Sequence, residues 1–111
     1  MPRVDAARRF AALVAAFADE PGVALPDPTR GRRFGADALT VQGSIFAMCV
    51  QDALVVKLPR ERVAALVAEG VCGPFDSGKG RAMREWATVT EPARDRELAG
   101  EALEFVRSLR R

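Results

Sequence analysis

The chain has 111 residues, of which 49% are apolar and 29% charged, and 17 basic against 15 acidic side chains leave a net charge of +2. This length holds one domain with a two-layer core and is too short for a complete nucleotide hydrolase or a two-domain enzyme; the balance is that of a folded globular protein, with a whole-molecule field too weak to direct it to nucleic acid. The sequence contains no His and no Tyr, which removes the commonest general base, the commonest metal ligand and every Ser-His or Cys-His nucleophile pair.

From Arg3 to Asp19, Ala6, Phe10, Leu13, Val14 and Phe17 recur at helical spacing, with Asp5, Arg8, Arg9 and Asp19 on the other side. This predicts an amphipathic helix within residues 1–20. Residues 21–37 contain Pro21, Pro26 and Pro28 with Gly22, Gly31 and Gly35, and are expected to be irregular, with Val23 and Leu25 as anchors to the core.

Residues 38–90 are read as a sheet with one inserted helix. Three β-prone runs, Ala38 to Val41, Ser44 to Val50 and Ala53 to Leu58, are joined by Gln42-Gly43 and Gln51-Asp52, the signature of an antiparallel meander with two-residue turns. In the middle run Ile45, Ala47 and Cys49 alternate with Phe46, Met48 and Val50, so both faces of that strand are apolar and cover is needed on both sides. Pro59 opens a second helix with Val63, Leu66 and Val67 as its buried stripe, and Gly70 is placed for a left-handed cap. Arg84 to Thr90 is β-prone, with Trp86, Thr88 and Thr90 on one face and Ala87 and Val89 on the other. Val71 to Phe75 offers a short strand before it. Residues 91–111 form a closing helix entered near Pro92, with Leu98, Ala102, Phe105, Val106 and Leu109 on one side. The expected order is α-βββ-α-β(β)-α, a single α+β domain with helices packed on one face of an antiparallel sheet.

Residues 73–80 read GPFDSGKG, which resembles a phosphate-binding P-loop except that Gly80 stands where a magnesium-binding hydroxyl belongs. A P-loop follows a strand and opens a helix, whose N-terminal amides face the phosphates. Here the predicted order is a helix before and a strand after, so the glycines are read as a turn. Two basic clusters, Arg30, Arg32 and Arg33 and then Lys79, Arg81 and Arg84, form a candidate anion or nucleic-acid patch if the two loops meet, against the alternative of plain solvated charge. Asp37, Asp52 and Asp76 occupy turn positions, where Asp bonds the local backbone. Cys49 and Cys72 lack the spacing of a zinc or redox motif and are read as buried apolar groups. No catalytic or metal-binding set emerges and no cofactor is expected; Phe46, Met48, Val50, Val55 and Trp86 are the candidate interface of a sheet face left open by the helices, to a protein partner or a second copy. The N-terminal stretch MPRVDAARRF has no hydrophobic signal core, and the longest uncharged apolar run, Phe10 to Ala18, is short of spanning length, so a cytoplasmic location without membrane contact is expected.

Several linked pieces of residues 32–111 resemble the small bacterial domains grouped around the TfoX N-terminal domain and the MmcQ/YjbR proteins. They are the Phe34-Gly35 entry, Gly43 before the strand with Ile45 and Phe46, and the run from Leu54 to Pro59. Gly70, Phe75, GKGRAM from Gly78 to Met83, and the Trp86 strand complete the set. The resemblance implies a two-layer α+β fold like that of type III secretion chaperones and a non-enzymatic binding or regulatory domain. TfoX-like members are associated with competence and transcription, and YjbR-like members with DNA binding. The match is to the first domain of full-length TfoX proteins, without their second.

Overall fold

A computed structural model describes residues 6–25, 38–50, 53–76 and 82–109. Helix α1 (Ala6–Ala16) is followed by strands β1 (Val23–Ala24), β2 (Ala38–Val41), β3 (Ser44–Val50) and β4 (Ala53–Lys57). Then come helix α2 (Arg60–Ala68), strands β5 (Cys72–Asp76) and β6 (Ala82–Val89), a 3₁₀ turn (Pro92–Arg94) and helix α3 (Asp95–Leu109). The turn between β2 and β3 has the geometry its sequence asks for: Gln42 and Gly43 both take positive φ, 53° and 86°, the mirror-image turn whose twist matches a hairpin.

The six strands form one sheet in the order β1-β2-β3-β4-β6-β5, every neighbouring pair antiparallel. The chain leaves β4, passes through α2, lays down β5 at the sheet edge and returns as β6 between the two. Crossing by a helix is what lets β5 skip one place, because a tight turn reaches only the adjacent strand. Helix α2 ends in a Schellman cap: Gly70 at φ 80° donates to the Val67 carbonyl and Val71 donates to that of Leu66, which satisfies two carbonyls the helix leaves open. Leu66 and Val71 are both buried, the apolar contact that accompanies this cap.

All three helices cover one face. Phe10, Leu13 and Phe17, Val63 and Leu66, and Leu98, Ala102, Leu103 and Val106 pack on Leu39, Val41, Ala47, Leu54, Val56, Ala87 and Val89. Burying these side chains, at about 25 cal/mol per Å² of apolar surface removed from water, is the main force holding the layers together.

Several sequence expectations are corrected. The described part of the first helix is shorter than Arg3 to Asp19. The stretch expected to be irregular contains β1, in which Val23 pairs with Val41 and packs against the core, while Leu25 stays exposed. In α3, Leu109 is 55% exposed, and Ala99 and Leu103 are buried beside the predicted Leu98, Ala102 and Val106. The largest correction concerns Phe46. Register runs Leu39↔Ala47 and then Thr40↔Ile45, so Phe46 is the extra residue of a β-bulge. A bulge puts two consecutive side chains on the same side. Phe46 therefore joins Ala47 in the helix-side core, fully buried, with its ring 5.8 Å from that of Phe17 at an interplanar angle of 75°. It is not on the face opposite the helices, where alternation with Met48 and Val50 had placed it.

Candidate functional site

Strands β5 and β6 are antiparallel neighbours whose described pairing runs from Cys72↔Val89 to Asp76↔Ala82. The first half of GPFDSGKG, Gly73 to Asp76, is itself part of β5 and not a turn after a helix, because Gly73 and Pro74 pair with Thr88 and Ala87, and the next described element is strand β6. A P-loop cradle needs the free amides of a helix N-terminus after the glycines, and β6 offers none.

Of the basic residues singled out from sequence, Arg30, Arg32, Arg33, Lys79 and Arg81 lie outside the described residues. Arg84 lies on β6 and is exposed. The β5–β6 register jumps from Pro74↔Ala87 to Phe75↔Met83, so Arg84, Glu85 and Trp86 have no partner residue on β5. On the other side β4 holds this stretch: Lys57 stands opposite Trp86 and the Leu58 amide donates to the Glu85 carbonyl at 3.0 Å.

Opposite the helices the sheet carries a second, smaller cluster: Ala38, Met48, Val55 and Phe75, with Ile45, Val50, Ala53 and Trp86 packed around it. Met48 is only 4% and Val55 0% exposed, so these two candidate interface residues are not presented at the surface, contrary to expectation. Val50 and Trp86 are half-buried. The Lys57 ammonium lies 5.5 Å from the centroid of the Trp86 ring, within the range of a cation–π contact. Lys57 forms no ion pair among the described residues, and neither does Arg84. Four other arginines have carboxylate partners: Arg9 with Asp95, Arg62 with Glu101, Arg94 with Glu97, and Arg107 with Glu20 and Glu104.

The sequence singled out Trp86 and Arg84 but not Lys57 as a neighbour of the ring. The available signal was its place two residues after Val55, which puts both on the same face of β4; the register to β6 supplied the rest.

Cys72 is buried and Cys49 half-buried. Burial pushes the Cys72 thiol above its ordinary pKa, a shift opposed by the charges of Arg94 and Arg62 and assisted by that of Glu101. A thiol held neutral is a poor nucleophile. Among the described residues no group of three or more Cys, Asp or Glu is arranged to hold a metal ion, and no helix is long and apolar enough to cross a membrane. Comparison of the chain with models of known protein families, with curated proteins and with solved structures returned no match.

Proposed function

We propose that this chain is a non-enzymatic binding or regulatory domain of the bacterial TfoX-N/YjbR-like type, acting in the cytoplasm on an anionic partner, with nucleic acid as the type. The observation that carries the proposal is Arg84, exposed on β6 and without a carboxylate partner among the described residues, with Lys79 and Arg81 shortly before it in the sequence. Exposed cations reach phosphate oxygens at little desolvation cost, and neutralising each phosphate releases condensed counterions.

The test is a fluorescence anisotropy titration with labelled single- and double-stranded DNA across a series of salt concentrations. Affinity is expected to fall steadily as salt rises, and the Lys79→Glu, Arg81→Glu double variant to weaken binding about tenfold or more. Absence of binding at low salt, or binding indifferent to salt and to the double variant, would remove the proposal.

A second reading is a protein-interaction module or homodimer using the sheet face opposite the helices. It is favoured by the half-buried Ile45, Val50, Ala53 and Trp86 around the second cluster, a larger apolar set than isolated surface residues provide. Light scattering at high micromolar concentration tests it, and a strict monomer counts against self-association.

A further inference from the structure

We propose that Trp86 and Lys57, with the exposed Arg84 two residues earlier on β6, form a platform that stacks a base of single-stranded nucleic acid on the sheet. This rests on the anionic-partner reading above and gives that partner a chemistry. Trp86 is the one Trp of the chain, and it belongs to the face opposite the helices, at the margin of the second cluster rather than in its buried centre.

Three observations point to a base and its phosphate. First, the ring meets an ammonium 5.5 Å from its centroid. Lys57 is half-buried rather than enclosed, and a strongly hydrated ammonium of this kind keeps its head where water can reach it. Second, Lys57 and Arg84 have no carboxylate to neutralise them among the described residues; Glu85 is the one acid between Arg84 and Thr88 in the sequence. This leaves a locally positive margin around an aromatic group. Third, the jump in register leaves Arg84 to Trp86 without a paired residue on β5, and the ring packs at the margin of the cluster that holds Phe75, half-buried rather than enclosed.

Aromatic side chains on a sheet with adjacent cations are what an unpaired base and its phosphate need: stacking tolerates every base, and the cations follow the backbone. A duplex buries its base faces and cannot use the ring. On binding, the Lys57 ammonium exchanges the ring for a phosphate oxygen, and a base takes its place over the indole.

Because the chain has one Trp and no Tyr, emission excited at the red edge of indole absorption reports this ring alone. The experiment titrates the whole protein with a short thymidine oligonucleotide, following Trp emission and, in parallel, the anisotropy of a labelled copy. Quenching that follows the same isotherm as the anisotropy is expected. By anisotropy, Trp86→Leu should bind about tenfold more weakly while Trp86→Phe stays within about threefold of the parent, as a stacking role predicts. Lys57→Gln, a change at a half-exposed position, should lower the slope of log affinity against log salt by up to about one.

Binding with unchanged emission and with Trp86→Leu equal to the parent overturns the platform and leaves the anionic-partner reading standing. The same holds if only duplex DNA binds. No binding to either form at low salt overturns both. Emission that shifts with protein concentration in the absence of DNA, together with a growing molecular mass, assigns the face to a second copy and overturns the platform.

Discussion

Arg9 and Asp95, 86 residues apart in sequence, meet in a bidentate ion pair: Arg9 Nε donates to Oδ2 at 2.8 Å and Nη2 to Oδ1 at 2.6 Å. Nη2 also donates to the carbonyl of Val89 at 3.0 Å. One guanidinium thereby ties the middle of α1 to the last residue of β6 and the first residue of α3. The carboxylate also stands in the first turn of α3, where the helix dipole favours negative charge. The hydrogen bond with Asp95 raises the Arg9 pKa above its ordinary value, partly offset by burial.

Breaking that pair one partner at a time should be costly, because the side chains are only 13% and 12% exposed and the survivor is left charged and poorly solvated. Arg9→Met is expected to lower unfolding stability by about 3 kcal/mol, and the Arg9→Met, Asp95→Leu double variant to lose clearly less than the sum of the single losses. Urea midpoints at unchanged slope measure both. Additive losses would show that the two groups do not stabilise each other.

The same substitution at two glycines is expected to act with opposite sign. Gly70 has φ 80° in the cap of α2, a conformation in which a Cβ is strained, so Gly70→Ala should cost about 1 kcal/mol. Gly100 lies inside α3, where an added Cβ meets nothing within 4 Å. Gly100→Ala should stabilise by about 0.5–1 kcal/mol, through better helix propensity and a less disordered unfolded chain. Thermal unfolding of the two variants side by side checks the pair of signs.

Cys72 carries a pH dependence whose direction follows from its burial. Its folded pKa lies above the ordinary thiol value of 9.0, so the folded state holds the proton more tightly than the unfolded one. That contribution is fully present below pH 9.0 and is lost as pH rises through the folded value. Wild-type stability should therefore fall on the alkaline side more steeply than that of Cys72→Ala, as followed by urea unfolding at a series of pH values. Equal alkaline slopes for the two proteins would contradict it.

Much of the layered order was legible because it is written locally. The boundaries of β2 and β3 follow from β-branched runs flanking Gln42-Gly43, and Gly70 announced the end of α2, since both positions need positive φ. The outer and inner faces of β6 were also read correctly from Trp86, Ala87 and Val89. Little of the candidate site was legible in the same way. Arg84 and Trp86 stand out by residue type, but Lys57 gains its meaning only from standing opposite Trp86.

By itself the sequence determined the α+β class, three helices with one apolar side each, and a meander of short strands, because periods of 2 and 3.6 residues record which side of an element avoids water. Tertiary structure alone decided that β6 lies between β4 and β5, that the extra residue opposite Leu39 and Thr40 turns Phe46 into the main core, and that Arg9 finds Asp95. These depend on which distant strands and helices meet. A single inserted residue inverts the alternation for everything beyond it, and no local pattern announces where that insertion falls.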